Sequence, residues 1–387
     1  MAQRTCLEST LGSGLSSDEW HQAARSLKTG GLGLRRASLH SPAAYLSSIT
    51  ACAKKCKEID ERFTWASGCA ADALAAHNAM VDVSDELEWQ SQLDDVVPVQ
   101  QKSLSHAIDA KDMADHLGRL PASDRAALLS ETLRGAYNFL EAVPTENLGL
   151  RMEPIHFRTE LRRRLLMDLH ISGDSFCVLC DQISDAKGRH DIMCSCGGDR
   201  TTRHNAARNL VASFAAQAAL NPVLEKPALL PPSPEYPNAD GRRPADVFLP
   251  TWFGGRPAAL DFAVTCPCRQ DLLRASGQTA GAAAALYASR KRAFLNTEAD
   301  CERQGLRFVP MVAESSGGWR ADALKTLQGI ARAQSTRTGQ RTAQVLEIYL
   351  QRLSMCIRRA NAIATLRRDR PVAVNIGPAL PAEGMEL

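Results

Sequence analysis

The sequence predicts an α+β protein with a mainly helical first part, a compact cysteine- and histidine-rich segment, and a core of order αβββαβ followed by C-terminal helices. Three observations predict this fold class. Apolar residues recur at three- and four-residue spacing before residue 170, as in amphipathic helices. The stretch 177–194, CVLCDQISDAKGRHDIMC, clusters three cysteines and one histidine. Two short β-type runs then flank Phe253-Gly254-Gly255, which is a hairpin signal.

The composition is that of a globular chain without a strong overall charge. Of 387 residues, 44% are apolar, and the net charge of +3 is too small to diagnose a nucleic-acid-binding protein. The N-terminus lacks a secretory pattern, and no window is apolar enough to cross a bilayer. We therefore expect a nuclear or cytoplasmic protein with no membrane partner, in which most of the 12 cysteines are reduced.

The helical part is predicted over residues 1–170. The stretch ASDRAALLSETLRGAYNFL has helical spacing with Ser123 as its N-cap, and a short buried helix is expected after Pro42. The three arginines of ELRRRLLMDLHI, residues 162–164, fit either a solvated helix face or a phosphate-facing patch.

The clustered cysteines predict a small zinc knuckle over residues 171–200. Cys177 and Cys180 supply a Cys-x-x-Cys pair, and His190 with Cys194 supplies the second pair, with Cys196 as a competing fourth ligand. Four protein ligands leave no open position for water chemistry, so the ion is expected to be structural. The alternative is a set of reduced cysteines beside a turn. A redox Cys-x-x-Cys is disfavoured because no βαβ pattern surrounds it.

The core is predicted over residues 201–316. RHNAARNLVASFAAQAAL reads as a helix, followed by β-type runs in PVLEKPALL, RPADVFLPTW and RPAALDFAVTCP. A helix at about 277–297 leads to the strand LRFVPMVAES, and helices at about 320–335 and 340–365 follow. The C-terminal helices are placed in residues 317–370, and the tail from Pro371 is expected to be disordered.

Three acidic residues in or beside these runs predict a catalytic magnesium site. Asp246 and Asp261 can lie at one end of a hairpin, and paired carboxylates are hard ligands for Mg²⁺, which activates water for phosphate hydrolysis. Glu225 would support the site, and Lys291 would aid the water or counter phosphate charge. Alternatives remain for each: a turn cap for Asp246, a surface ion pair for Glu225, and a solvated helix face for Lys291. Asp261 in an apolar strand is the most costly to leave unpaired.

Basic and polar residues at the start of the helix after the knuckle predict a DNA contact. Arg200, Arg203, His204 and Asn205 could meet phosphates near the helix N-terminus, or they could cap the helix and remain solvated. The arginine-rich stretch RLSMCIRRANAIATLRRDR fits either a salt-dependent DNA contact or an exposed helix face.

The order of these parts resembles the C-terminal region of site-specific non-LTR retrotransposon proteins. Cys-x-x-Cys, His and Cys, then GGDRTTRHN, RPADVFLP and ALDFAVT are similar to a CCHC knuckle beside a restriction-like endonuclease of the PD-(D/E)XK type. GGLGLRRASLHSPAAYL resembles the segment downstream of a reverse transcriptase palm. The resemblance implies a restriction-endonuclease-like core that nicks target DNA, with Asp246 and Asp261 at the two acidic positions.

The sequence also departs from that family. Ala245 is inserted after Pro244, and Ala263 stands where the motif has lysine, so the resemblance leaves the lysine to Lys291 on the next helix. The only Asp-Asp pair, Asp94-Asp95, follows Gln92 rather than an aromatic residue, so the reverse transcriptase palm is expected to be absent. This pattern favours a fragment or degenerate copy of a retroelement C-terminus.

Three functions therefore compete. The first is a Mg²⁺-dependent nicking endonuclease that acts on DNA, contacts the element RNA as a second partner, and relies on a reverse transcriptase supplied in trans. The second is an inactive nucleic-acid-binding remnant, and the third is a zinc-stabilised protein-interaction module.

Overall fold

The computed structural model describes residues 2–63, 68–88, 97–170, 173–232 and 243–369. Over these ranges the predicted α+β class is confirmed: helices predominate, and the strands form a two-stranded ribbon and a mixed four-stranded sheet. Asp94-Asp95, most of the Pro-rich connection and the tail from Pro371 lie outside the described residues. No helix of the described ranges has the length and apolar character needed to span a bilayer.

The described residues up to 170 are mainly helical, as predicted. The helices are α1 (Ala2–Leu11), α2 (Ser17–Ala24), α3 (Ala37–Ile59), α4 (Cys69–Asn78), α5 (Gln101–Arg119), α6 (Ala122–Glu131), α7 (Asn138–Glu141) and α8 (Pro154–Arg164). Two local predictions were wrong. Helix α6 is capped by Pro121 rather than Ser123, and α3 begins five residues before Pro42. Pro42 lies in the second turn of α3, where its missing N–H removes one i→i−4 hydrogen bond, but the helix continues through it, so the proline does not mark the start.

The cysteine-rich segment forms a ribbon and a short helix. Strands β1 (Ser175–Phe176) and β2 (Ile183–Ser184) pair antiparallel, and α9 (Arg189–Met193) follows. The turn between the strands carries the Cys-x-x-Cys pair, and α9 carries the histidine.

The core follows the predicted order αβββαβ, except that three helices, rather than one long helix, lie between the third and fourth strands. Its elements are α10 (Asp199–Gln217), β3 (Val223–Leu224), β4 (Val247–Leu249), β5 (Ala258–Thr265), α11 (Leu273–Ser276), α12 (Ala282–Ala293), α13 (Thr297–Arg303) and β6 (Arg307–Glu314). The sheet order is β3-β4-β5-β6. The first three strands are antiparallel, whereas β5 and β6 are parallel and are joined through α11–α13, because a parallel pair needs a crossover.

Both faces of this sheet are covered. Leu260 and Phe262 face a core built with α10, α14 (Ala321–Thr338) and α15 (Thr342–Leu366). Ala259 and Ala263 face the opposite side, where α12 and α13 pack. Residue 261 shares the second face because side chains alternate along a strand.

Helix α15 connects the helical part to the core through buried charges. Arg358 is fully buried and donates to the carboxylates of Glu131 on α6 and Glu160 on α8, the latter at 3.2 Å. Arg164 on α8 pairs with the same Glu131. Arg163 also pairs with Glu160 at 3.0 Å, so three guanidinium groups surround two carboxylates in the interior. Removing one member would leave a buried charge with fewer partners.

We expect Arg358→Met to lower the free energy of unfolding by about 3–5 kcal/mol, because Glu131 and Glu160 would lose a buried partner. The measurement is urea unfolding followed by circular dichroism. The control is Arg359→Met; within the described residues this half-buried side chain donates to the carbonyls of Gly149 and Arg151 and pairs with no carboxylate. Equal losses in the two variants would contradict the role assigned to Arg358.

Candidate functional site

The four predicted zinc ligands lie together. Cys177 and Cys180 lie on the β1–β2 turn, which is closed by hydrogen bonds from the Cys177 N–H to the Gln182 carbonyl (2.7 Å) and from the Asp181 N–H to the Cys177 carbonyl (3.1 Å). The Sγ of Cys180 is 3.2 Å from Nε2 of His190 and 3.5 Å from Sγ of Cys194. All four donor atoms lie within 4.8 Å of one another, so this cluster could hold a metal ion.

Local hydrogen bonds explain the position of the histidine. The Asp185 carboxylate accepts from the backbone N–H groups of Arg189 (2.8 Å) and His190 (3.0 Å), which fixes the start of α9. Asp191 is buried and pairs with His170 at 2.8 Å. Cys196 is not a member of the cluster; its carbonyl accepts from Arg368 at 3.0 Å. The sequence left Cys194 and Cys196 as alternatives for the fourth ligand, and the structure places Cys194 with the other three.

The chemistry of the donor set fits a cation. For Cys180, the N–H of Gln182 acts to lower the pKa, but burial and the neighbouring thiols of Cys194 and Cys177 outweigh it and raise the pKa to about 11. Neighbouring thiols cannot all ionise without a positive charge between them. Three thiolates and one imidazole in a tetrahedron are a ligand set that zinc prefers.

The strand register places the three acidic residues in one row. Val247 pairs with Leu260, and Leu224 pairs with Val247. One position further along, the Asp246 N–H donates to the Leu260 carbonyl (2.9 Å), and the Glu225 N–H donates to the Asp246 carbonyl (3.0 Å). Asp246 therefore lies opposite Asp261 on the adjacent strand, and the side chains of such a pair share a face.

Each aspartate of the pair is held by a different set of donors. The Lys291 amine donates to Oδ1 of Asp261 at 2.6 Å. Oδ2 of Asp246 accepts from the Phe262 N–H at 2.6 Å, and Nε2 of His204 lies 3.4 Å from its Oδ1. The structure thus brings Asp246, Asp261 and Lys291 together, and it adds His204 to them rather than leaving it at the protein surface.

These surroundings shift the pKa values of the two carboxyl groups in opposite directions. Burial raises the pKa of Asp261 to about 6; Lys291 opposes this rise and the Asp246 carboxylate adds to it. Burial also acts to raise the pKa of Asp246, but hydrogen bonds from His204 and the Phe262 N–H outweigh it, and the pKa lies below its usual value. Two carboxylates with divergent pKa values in one cleft are a common feature of functional sites.

Glu225 does not join the pair. Its carboxylate is bound by Arg208 on α10 and lies 3.9 Å from Arg243. Within the described residues, the cysteine–histidine cluster is the only set of three or more Asp, Glu, Cys or His donors close enough to hold an ion. The expected support of a magnesium site by Glu225 is therefore not found, because arginines neutralise this carboxylate.

Small side chains explain how Lys291 reaches the strand. Ala263 is buried against Ala284 and Ala288 of α12. These three small residues allow the helix to lie close to the sheet, so an amine one turn further along α12 reaches Asp261. An open cleft of about 510 Å³ lies in front of this ion pair, and its lining includes Arg243, Tyr287 and Arg290.

The four residues predicted to contact DNA have separate environments. Arg200 is exposed, and Asn205 is half-buried without a side-chain hydrogen bond to any described residue. Arg203 is buried and donates to Oδ1 of Asn361 (2.7 Å) and to the Ile192 carbonyl (3.0 Å). Arg203 is therefore buried rather than solvated, and the DNA contact predicted for it stays a prediction. The sequence interpretation missed Arg208, although its spacing of four residues from His204 places both on one helix face.

The other arginine clusters mostly serve intramolecular contacts. Arg164 and Arg358 are buried, and Arg367 and Arg368 both pair with Asp199 at the start of α10. The solvated faces predicted for residues 162–164 and for the end of α15 are thus partly interior.

A scan against protein-family models and a search of curated proteins gave no match for this chain.

The raised pKa of Asp261 predicts a pH-dependent stability difference. The folded state binds the Asp261 proton below about pH 6, whereas the unfolded chain binds it only near its ordinary value, so folding gains stability as pH falls from 7 to 4. Asp261→Asn cannot titrate. We expect its stability relative to the wild type to be highest at pH 7 and to decrease by about 2–3 kcal/mol at pH 4.

Urea unfolding of both proteins in metal-free buffer at the two pH values measures this change. Comparing the variant with the wild type cancels titration at groups that do not interact with Asp261, including those of the knuckle. A stability difference that is the same at pH 4 and pH 7 would contradict the assigned environment of Asp261.

Proposed function

We propose that the protein is a metal-dependent DNA endonuclease that nicks one strand, with Asp246 and Asp261 as the metal ligands. The observation that carries the proposal is the paired register of these two aspartates on one sheet face, with the Lys291 amine 2.6 Å from Asp261. A carboxylate pair beside a lysine in an open cleft can serve phosphodiester hydrolysis. The αβββαβ order and the resemblance of the RPAD and ALDF stretches to retroelement endonucleases support the same proposal.

The residues have separable roles in this proposal. A magnesium ion between the aspartates would supply Lewis acidity toward the phosphate and lower the pKa of a bound water. The Phe262 N–H and His204 hold Asp246 in orientation. Asp246 and Asp261 would hold the ion. The Lys291 ammonium, 2.6 Å from Asp261, lines the cleft and would stabilise negative charge on a phosphate bound there.

The knuckle is proposed to bind zinc and to brace the first turns of α10. Arg203 joins the Ile192 carbonyl of the knuckle to Asn361 of α15, and Arg368 joins the Cys196 carbonyl to Asp199. His204 follows directly on α10 and contacts Asp246. A zinc-ordered knuckle therefore fixes the position of a residue at the carboxylate pair. In the proposed setting the protein acts on nuclear DNA, contacts the element RNA, and works with a reverse transcriptase supplied in trans.

A second candidate is a nucleic-acid-binding protein without catalysis. Two observations favour it. The Lys291 amine donates to the Asp261 carboxylate that a metal ion would need, and no third carboxylate lies at the pair among the described residues. In that case the lysine is a permanent counter-charge, and the ion pair stabilises the fold instead of opening to a metal ion.

A plasmid assay separates these candidates. Purified zinc-loaded protein and Mg²⁺ are expected to convert supercoiled plasmid to the open circle, and Asp261→Ala and Lys291→Met are each expected to slow nicking by about 100-fold or more. Glu302→Ala and Lys325→Met, which remove exposed charges from α13 and α14, are the matched controls.

Nicking that is unchanged in Asp261→Ala would overturn the assigned site. DNA retention that persists in EDTA, without cleavage under any divalent metal, would establish the second candidate in its place.

The knuckle generates a separate prediction. The purified protein should contain one zinc ion per chain by atomic emission, and a chelator should lower its melting temperature because the thiols lose their shared cation. Cys177→Ala should abolish zinc binding, whereas Cys196→Ala should retain it, since Cys196 lies outside the cluster. Retention of zinc by Cys177→Ala would show that the ligand assignment is wrong.

A further inference from the structure

One buried arginine lacks a carboxylate partner. The described part of the chain contains six arginines with nearly fully buried side chains: Arg25, Arg164, Arg203, Arg208, Arg358 and Arg368. Five of them pair with an aspartate or glutamate. Arg203 is 4% exposed and has no acidic partner among the described residues. An isolated buried charge is costly, so the exception needs a physical reason.

The hydrogen bonds of Arg203 are also incomplete. Its two terminal nitrogens donate to Asn361 and to the Ile192 carbonyl, both of which are neutral groups. Its Nε is buried without a partner. Burial lowers the pKa of this guanidinium to about 10, which expresses the cost of holding the charge there. A negative ligand would supply both the missing acceptor and the missing charge.

Arg203 lines a cavity of about 180 Å³ at the end of β5. Arg200 and Arg269 also line it, and no aspartate or glutamate is among its lining residues. Arg200 makes no hydrogen bond or ion pair with the rest of the described chain, and Arg269 is paired with Asp271 outside the cavity. Arg200 and Arg203 both lie in the first turns of the 19-residue helix α10.

We propose that this cavity is a binding site for a tetrahedral oxyanion of the phosphate class, held by Arg200, Arg203 and Arg269. The volume accommodates several water molecules at about 30 Å³ each, and therefore a phosphate group with residual water. Arginine is the side chain best suited to such a group, because its planar donors match two phosphate oxygens. The site lies on the α10 side of the sheet and does not require the carboxylate pair to be catalytic.

Cys266 is a competing source of negative charge in the same cavity. A hydrogen bond from Cys268 is the main cause that lowers the pKa of its thiol to about 7, and Arg203 contributes to the same shift. A thiolate at this position would partly neutralise Arg203 without any ligand. Replacing Cys266 therefore tests whether the cavity was built for the thiolate or for an external anion.

Thermal unfolding with inorganic phosphate is the direct test. The melting temperature of the zinc-loaded wild type should rise with phosphate concentration, beyond the effect of sodium chloride at equal ionic strength, because the ligand binds only the folded state. Arg200→Gln should require about tenfold more phosphate for the same shift, the loss expected for one charge-assisted hydrogen bond. Arg274→Gln, which removes an exposed charge from α11, should behave as the wild type does.

Cys266→Ala should bind phosphate at least as tightly as the wild type, since it removes only the competing charge. Loss of the phosphate effect in this variant would overturn the proposal in favour of a thiolate partner. The proposal also fails if phosphate and chloride stabilise the wild type equally. It fails as well if Arg200→Gln shows the same phosphate dependence of its melting temperature as the wild type. Arg200 is chosen over Arg203 because its side chain makes no contact on which folding depends.

The anion could be free or part of a nucleic-acid backbone. Thr265 is about 13 Å along β5 from Asp261, at roughly 3.3 Å per residue, so one oligonucleotide could reach both positions. The assignment of the anion to a nucleic-acid backbone rests on the proposed function, whereas the site itself does not. Fluorescence anisotropy with a labelled oligonucleotide distinguishes the two sources.

Competition by inorganic phosphate, together with weaker oligonucleotide binding by Arg200→Gln, would identify a backbone phosphodiester. Equal oligonucleotide binding by both proteins would identify a free anion, with the phosphate-dependent stabilisation intact. Asp261→Ala should retain that stabilisation in either case, so failure of the nuclease assay would leave this inference standing.

Discussion

The long helix α15 is the constraint on which the other parts of the structure depend. Its middle turns pack in the main core with the sheet and α10, while Arg358 neutralises Glu131 and Glu160 of the helical part. Its end holds the knuckle through Arg368 and Asp199. Three regions that are far apart in sequence thus share one helix. Because the Arg358 charges are buried, a shift of α15 relative to α6 and α8 would leave an unpaired charge in the interior.

The negative charges of Asp246 and Asp261 are also balanced by neighbouring groups, but less completely than those of Glu131 and Glu160. Asp246 has hydrogen-bond donors from the backbone and from His204, so it stays ionised. Asp261 has one amine, and burial still raises its pKa to about 6. The pair therefore carries more negative potential than Lys291 cancels when both groups are ionised. A divalent cation would remove that excess, which is why this geometry, rather than either aspartate alone, supports a metal-dependent reaction.

Features set by nearby residues were predictable from the sequence. The cysteine–histidine cluster spans 18 residues and closes through local turns, so its spacing identified three members and left Cys194 and Cys196 as alternatives for the fourth. The hairpin at Phe253-Gly254-Gly255 fixed the β4–β5 register and hence the meeting of Asp246 and Asp261. The placement of Lys291 depended on a resemblance and on the small Ala263, since an isolated lysine in a helix gives no signal of its own.

Features set by long-range partners were not predictable. Arg203 and Arg358 lie in polar stretches that resemble solvated faces, but each is buried by partners that include a residue more than 150 positions away. Glu225 was assigned to the metal site because it lies beside the strands, but Arg208 occupies its carboxylate. Charged residues have no intrinsic preference that distinguishes a buried ion pair from a solvated one. The partner decides, and the partner is a property of the fold.

The first turns of α10 link the three candidate sites. Arg203 contacts the knuckle through the Ile192 carbonyl and lines the arginine-rich cavity, while the next residue, His204, contacts Asp246. The charge on Arg203 and the orientation of His204 are thus set by adjacent positions of one rigid helix. An anion in the cavity would relieve the uncompensated charge at Arg203 and stabilise this end of α10. An anion in the cavity and an ion in the knuckle would therefore act on the same helix turn that places His204 beside Asp246.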